Sequence, residues 1–301
     1  MTRRSWILMG ILAALWGASY MFIKIAIDDG LSDAFIVFAR TALGALVLAP
    51  IAISRGALRA ARPYLGWLVL IAVVQILGPF LLITIGERNV PSSLAGVLVA
   101  SAPIFTALIA AVAVQTERLE GVAVIGIVVG MAGIALLFGV DLSGDSNALL
   151  GGAGILLASV GYAVGALIAK RKLVDVPPVG IATSIIGLSA IFLLPALPFT
   201  GTGDAPSLGG IAALAVLGAG GTGIAFMIFY MLNAEIGPSR AAVVAYIAPV
   251  FSVLYGVTLL DEKFTVSTVI GLVLILGGSY VAADGRAPWR RRAPVLAESP
   301  A

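Results

Sequence analysis

The sequence predicts an all-α membrane protein of ten transmembrane helices, arranged as two inverted five-helix repeats. Three observations lead there: an apolar composition cut into span-length segments, a one-sided distribution of Lys and Arg, and a set of motifs that recurs 146 residues later.

Composition excludes a soluble domain. Of the 301 residues, 60% are apolar and 11% are charged, against about 25% charged in a soluble fold. The chain has no cysteine and no histidine. Disulfides, thiol nucleophiles, Cys/His metal sites and imidazole bases are therefore excluded, and neither a metal nor a cofactor is expected.

A membrane span needs about 20 mostly apolar residues. The first candidate runs from Trp6 to Ile27, longer than the roughly 7–15 apolar residues of a signal peptide, and stops at Asp28-Asp29-Gly30. The second, Ala34 to Ser54, stops at Arg55-Gly56. The third, Leu65 to Ile85, ends before Glu87-Arg88, and the fourth runs from Pro91 to Val114. The fifth, Val122 to Phe138, is closed by Asp141-Leu142-Ser143-Gly144. The sixth runs from Ala148 to Ala169 and ends on the cations Lys170-Arg171-Lys172. The seventh, Val179 to Phe199, is followed by the turn Gly201-Thr202-Gly203-Asp204. The eighth, ninth and tenth are Leu208 to Met231, Ala241 to Leu260 and Val266 to Ala283. Gly and polar residues dilute spans three and eight most.

Lys and Arg mark the cytoplasmic side of a membrane protein. With ten spans and the N-terminus inside, 14 of the 18 cations fall on the cytoplasmic side. Lys24, Arg88 and Lys263 fall outside, and Arg40 lies within span two. Both termini are thus expected in the cytoplasm. Residues 284–301 are expected to form a basic tail lying beside anionic lipid.

The halves repeat. Pro91-Ser92-Ser93-Leu94-Ala95 and Ala102-Pro103-Ile104-Phe105, then Glu117-Arg118, return as Pro238-Ser239-Arg240-Ala241-Ala242, Ala248-Pro249-Val250-Phe251 and Glu262-Lys263. Pro103 and Pro249 are 146 apart, as are Trp16 and Tyr162, and Lys24 and Lys170. Five spans per copy is an odd number, so the second copy enters the membrane from the opposite side. Inverted repeats of this kind are common in secondary transporters. The copies are expected at residues 6–139 and 148–283.

These strings resemble the EamA-type drug/metabolite transporters. In the second half the marks are Gly237-Pro238-Ser239-Arg240, Tyr246 with Pro249-Val250-Phe251, Leu260-Asp261-Glu262-Lys263, Gly271 and Gly277-Gly278. In the first half they are Trp16-Gly17-Ala18-Ser19, Phe38-Ala39-Arg40, Pro103, Glu117-Arg118 and Gly133. The resemblance covers about Ile7 to Ala283. It implies a central cavity lined by spans one, three, four, six, eight and nine, and movement of amino acids, their derivatives or other metabolites, often outward. The aromatic often found in span six is Tyr162 here rather than Trp.

Polar and aromatic groups inside spans are the candidate site. Substrate contacts are expected from Trp16, Tyr20, Gln75, Ser101, Tyr162, Phe226 and Tyr246. Trp16 and Tyr20 are four apart and share a helix face; the competing reading puts such aromatics against lipid. Gln75 either lines the cavity or hydrogen-bonds a neighbouring helix. Arg40 is expected to snorkel or to fix packing, because span two is not an expected cavity wall. Lys24 is expected to anchor the outer interface. Pro79, Pro103 and Pro249 lie mid-span, where each removes a backbone hydrogen bond and permits a hinge. No carboxylate lies deep in a span, so the cavity is expected to be uncharged and partly aromatic, without a proton relay. The reading is an alternating-access exporter of amino acids or similar neutral or zwitterionic metabolites. It would act as a monomer in the cell inner membrane and need no nucleic acid. The alternative is a membrane scaffold or sensor without flux; an intramembrane enzyme lacks convergent acid and base groups.

Overall fold

The computed structural model describes residues 2–113, 121–199, 206–263 and 265–284. The Glu117-Arg118 motif, the Gly201 to Asp204 turn and nearly all of the basic tail lie outside the described residues. Every regular element among the described residues is helical. Eight helices are long and apolar enough to cross a bilayer: α1 (Arg3–Asp28), α2 (Asp33–Ser54), α3 (Ala57–Gly86), α4 (Ser92–Val112), α5 (Val122–Val140), α6 (Ser146–Lys172), α7 (Pro178–Phe199) and α8 (Leu208–Ile236). Two shorter apolar helices complete the bundle, α9 (Val244–Leu259) and α10 (Val266–Ala282). In lipid each backbone polar group must find a partner within the chain, which selects helices.

Polar caps start several of them. Thr2 accepts from the Ser5 amide at 3.1 Å, Asp145 from the Asn147 amide at 2.8 Å, Ser207 from the Gly210 amide at 3.1 Å and Thr265 from the Thr268 amide at 3.1 Å. Each side-chain oxygen satisfies a donor that the first helical turn leaves free.

Helix α3 begins eight residues before the Leu65 start expected from sequence. Its opening turns carry Arg59 and Arg62, both exposed, and long cationic side chains of this kind can reach water from a helix end. Both α3 and α8 are interrupted near mid-span by a π-helical segment, Ala72–Leu77 and Val216–Ile224. These are the two spans most diluted by Gly and polar residues. Helix α4 is broken at Ala100 and Ser101.

Helices pack through small residues. Gly126 and Gly133 of α5 lie against the backbone of α10: a methyl group at Gly126 would stand 2.6 Å from the Ala282 nitrogen, and one at Gly133 would stand 3.0 Å from the Gly271 oxygen. Gly17 of α1 meets α9 in the same way, 2.7 Å from the Ala248 oxygen. Gly218 and Gly223 of α8 seat on Leu43 and Val47 of α2, and Gly221 on Ser19 of α1. Gly161 and Gly165 of α6 seat on Val74, Pro79 and Gln75 of α3. Without a hydrophobic drive between helices in lipid, such close approach carries the association. Helix α2 also packs on α7, α3 on α7, and α4 on α6 and α9. Large apolar side chains such as Leu46, Ile125, Leu150 and Val273 are left on the outside of the bundle, as a lipid-facing surface requires.

Candidate functional site

A cavity of about 960 Å³ lies in the middle of the bundle. Its wall reaches Lys170, Ala242 and Ala123, at the ends of helices on the side where the chain begins. At its other extreme it stops at Ile23, Ile83 and Gly96, before those helices end.

Trp16, Tyr20, Gln75, Tyr162, Phe226 and Tyr246 all line this cavity. Trp16 meets Phe226 edge-on at 6.0 Å and Phe229 at 5.4 Å, and Phe226 lies 6.2 Å from Tyr230. The aromatic wall is thus a joint product of α1 and α8. Tyr246 donates its hydroxyl to the Ser279 carbonyl at 3.4 Å. Ser101 is the exception among the expected contacts. It is fully buried, lies outside the lining, and donates to the Leu98 carbonyl at 2.6 Å.

The three prolines are not equivalent. Pro103 and Pro249 line the cavity, whereas Pro79 packs under Gly161 of α6. The break in α4 falls just before Pro103, and Ser279 donates to the Ala100 carbonyl there at 3.1 Å. Helix α9 runs through Pro249 unbroken. Gln75 lies within the π-helical segment of α3. Such segments are frequent at functional sites because they redirect side chains and loosen the helix locally.

Arg40 departs from expectation. It neither snorkels nor sits outside the wall: only 7% of it is exposed, and it lines the cavity. Its Nε donates to Thr222 Oγ1 at 3.0 Å, and its guanidinium lies 3.7 Å over the Phe80 ring. Helix α2 enters the wall because Gly218 and Gly223 let α8 settle onto it, which carries Thr222 under the Arg40 head group. Together with Lys170 near the mouth, Arg40 makes the cavity cationic. No Asp or Glu belongs to its lining among the described residues. The chamber is therefore not the uncharged one expected from the sequence.

The end opposite the mouth is sealed by polar ties. Arg88 pairs with Asp33 at 2.8 Å, and Asp29 accepts from the Ser207 amide at 2.9 Å. Thr265 and Ser267 bond Asp141 at 2.6 and 2.9 Å. Glu262, turned inward by the positive φ of Asp261 (52°), accepts from the Ser92 and Ser93 amides at 2.7 and 2.9 Å. That places a carboxylate on the N-terminus of α4, where the helix dipole favours it. Lys24 pairs with Asp28 at 3.3 Å and donates to the Glu87 carbonyl at 3.4 Å, so it ties α1 to the end of α3.

Glu87 is the residue that the sequence conceals. It stands one position beyond the α3 span, yet it is fully buried, and neither carboxyl oxygen has a hydrogen-bond partner. Burial pushes its pKa well above the usual carboxylate range; Glu262 pushes the same way, and Arg40 and Lys24 oppose. Its position at a helix end gives no sequence signal of this.

Residues 4–139 and 149–283 each match the profile of the EamA-like transporter family. The inner membrane transporter YedA of Escherichia coli is 30% identical over 293 residues, covering 91% of this chain and 92% of the relative. A probable amino-acid metabolite efflux pump of Escherichia coli is 25% identical, with 98% and 99% covered. A probable terminal-alkyne amino-acid exporter of Streptantibioticus cattleyicolor is 25% identical, with 92% of each covered. One solved crystal structure superposes with a TM-score of 0.66 over 94% of this chain and 98% of that one, at 22% identity, a likeness of fold.

Proposed function

Because the chain belongs to the EamA-like transporter family, we propose that it carries amino acids or similar small metabolites out of the cell by alternating access. The observation that carries this reading is the central cavity, which reaches one face of the bundle and stops short of the other. Relatives named as an amino-acid metabolite efflux pump and an amino-acid exporter support the substrate class.

The architecture for that cycle is two inverted copies, residues 6–139 and 148–283, forming ten spans. Packing supports the exchange symmetry. The α1–α9 contact has its counterpart in α6–α4, the α1–α8 contact in α6–α3, and the α2–α8 contact in α7–α3. The Lys and Arg bias supports cytoplasmic termini in the cell inner membrane. With that orientation the cavity faces the cytoplasm, and the Glu262 and Arg88 ties close the outer side. One chain supplies the whole cavity, in keeping with a working monomer.

The test is counter-flow in proteoliposomes of the purified chain, loaded in turn with pooled amino acids. Saturable exchange is the expected result. Binding without flux would replace the carrier with the scaffold or sensor reading. Trp16→Ala and Tyr162→Ala should each weaken exchange of large side chains about tenfold, the scale of one lost aromatic contact. Unaltered selectivity in both variants would remove the aromatic wall from the site. Pro103→Ala combined with Pro249→Ala should slow exchange while leaving membrane yield intact, measured as initial counter-flow rates. An unchanged rate would sink the hinge assignment.

A further inference from the structure

We infer that Arg40 is a carboxylate subsite of the cavity, so that a carboxylate is required of the substrate and an ammonium group is not. The inference rests on the transport reading and narrows its substrate class.

Charge points there first. An arginine stays protonated throughout the physiological range. Removing that charge from water is costly unless a partner compensates it. The protein supplies one neutral acceptor, the Thr222 hydroxyl, and the face of Phe80. No carboxylate pairs with Arg40 among the described residues. Glu87 acts on it only through the field, and Glu87 itself is held toward the neutral form. An anion entering the cavity thus meets a cation that the protein leaves largely uncompensated.

Direction points the same way. Thr222 claims Nε, and the Phe80 ring fixes the guanidinium plane. Among the described residues the two Nη groups have no protein acceptor, on a residue that lines the cavity. A planar fork held at both its root and its face presents a pair of parallel donors, which is the geometry that takes a carboxylate end-on. Tyr20 and Tyr162 stand within its electrostatic reach, and the Trp16 and Phe226 wall offers an apolar surface for the rest of the solute.

The other end of an amino acid finds no such partner. An ammonium group is normally met by a carboxylate or a ring of carbonyls. The lining offers no acid among the described residues. The substrate class is thus small carboxylates with an apolar body, N-acylated acids included.

The experiment is counter-flow of radiolabelled amino acids in proteoliposomes, competed by unlabelled L-phenylalanine and L-leucine, their N-acetyl derivatives and their amides. The acids and the N-acetyl acids should compete alike, and the amides about tenfold more weakly or worse, as befits loss of a charge-assisted pair. Arg40→Gln should abolish that discrimination, and Arg40→Lys should retain part of it. Equal competition by amides, failure of the N-acetyl acids, or discrimination surviving in Arg40→Gln each overturns the subsite. If Arg40→Gln does not fold, Arg40→Lys still decides, because an ammonium keeps the charge but not the two parallel donors, so discrimination undiminished in Arg40→Lys overturns the subsite. Absence of counter-flow for every amino acid would instead overturn the transport reading, and the inference with it.

Discussion

Gly278→Leu should prevent the chain from accumulating as a folded membrane protein, while Gly277→Leu, one position away, should be tolerated. At Gly278 an added methyl group would collide with the Gly130 nitrogen and the Gly126 oxygen, and stand 2.7 Å from the Gly130 Cα. All three are backbone atoms of α5, so no rotamer change can make room. At Gly277 there is nothing within 4 Å. Since packing rather than hydrophobicity holds helices together in lipid, separating α5 from α10 removes the interaction itself. Overpacking of this kind costs about 3 kcal/mol or more. The effect would spread, because Ser279 caps the carbonyl at the α4 break and also receives the Tyr246 hydroxyl. The measurement is yield and thermal stability of monodisperse protein in detergent. Equal behaviour of the two variants would show that the α5–α10 seam does not hold the bundle together.

That seam also marks where the sequence is informative. Lipid permits few backbone solutions, so apolar runs and small-residue spacings such as Gly126 with Gly130 translate almost directly into helices and contacts. The start of α3 escapes a hydropathy window, which stops at Arg59 and Arg62, whereas a helix with long cationic side chains does not. The dilution of spans three and eight by Gln75 and by the glycines around Thr222 is a local signal, and it coincides with the two π-helical segments. Which helices wall a cavity is a different kind of fact, set by packing between distant segments. Arg40 falls outside the expected wall for that reason. Its own signal is present: an arginine well inside an apolar span with no acid one turn away, a placement that membranes tolerate chiefly for function. Glu87 carries no such mark, because its burial depends on how the bundle closes over a helix end.

Glu87→Gln should hold the outer side closed and make access from that side independent of pH. In the sealed conformation the carboxyl is fully buried with both oxygens unpartnered. An ionised group in that position is far costlier than a neutral one. The groups that act on it from neighbouring elements are Glu262 in the α9–α10 connection, Arg40 on α2 and Lys24 on α1, with Tyr20 of α1 sensing its charge. Burial and Glu262 outweigh the two cations, so the closed form binds the proton more tightly than a form in which water reaches Glu87. The sign follows from linkage. A raised carboxyl pKa stabilises the closed end fully at low pH, and that stabilisation is lost as the pH rises through the raised value, by up to about tenfold in the closed-to-open ratio per pH unit. Raising the outer pH through that raised value should therefore open the outer side of the unaltered chain. The chain has no cysteine, so a lone Ile83→Cys substitution at the cavity roof would report opening by labelling with an impermeant maleimide added outside, in vesicles of uniform orientation. Labelling should climb with outer pH where Glu87 is intact, and stay low and flat in the Glu87→Gln background. A pH-independent signal with Glu87 intact, or a Glu87→Gln background that follows the same rise, would remove Glu87 from the gate. A neutral amide at this position keeps the shape of the protonated acid, so the comparison isolates the proton from the packing.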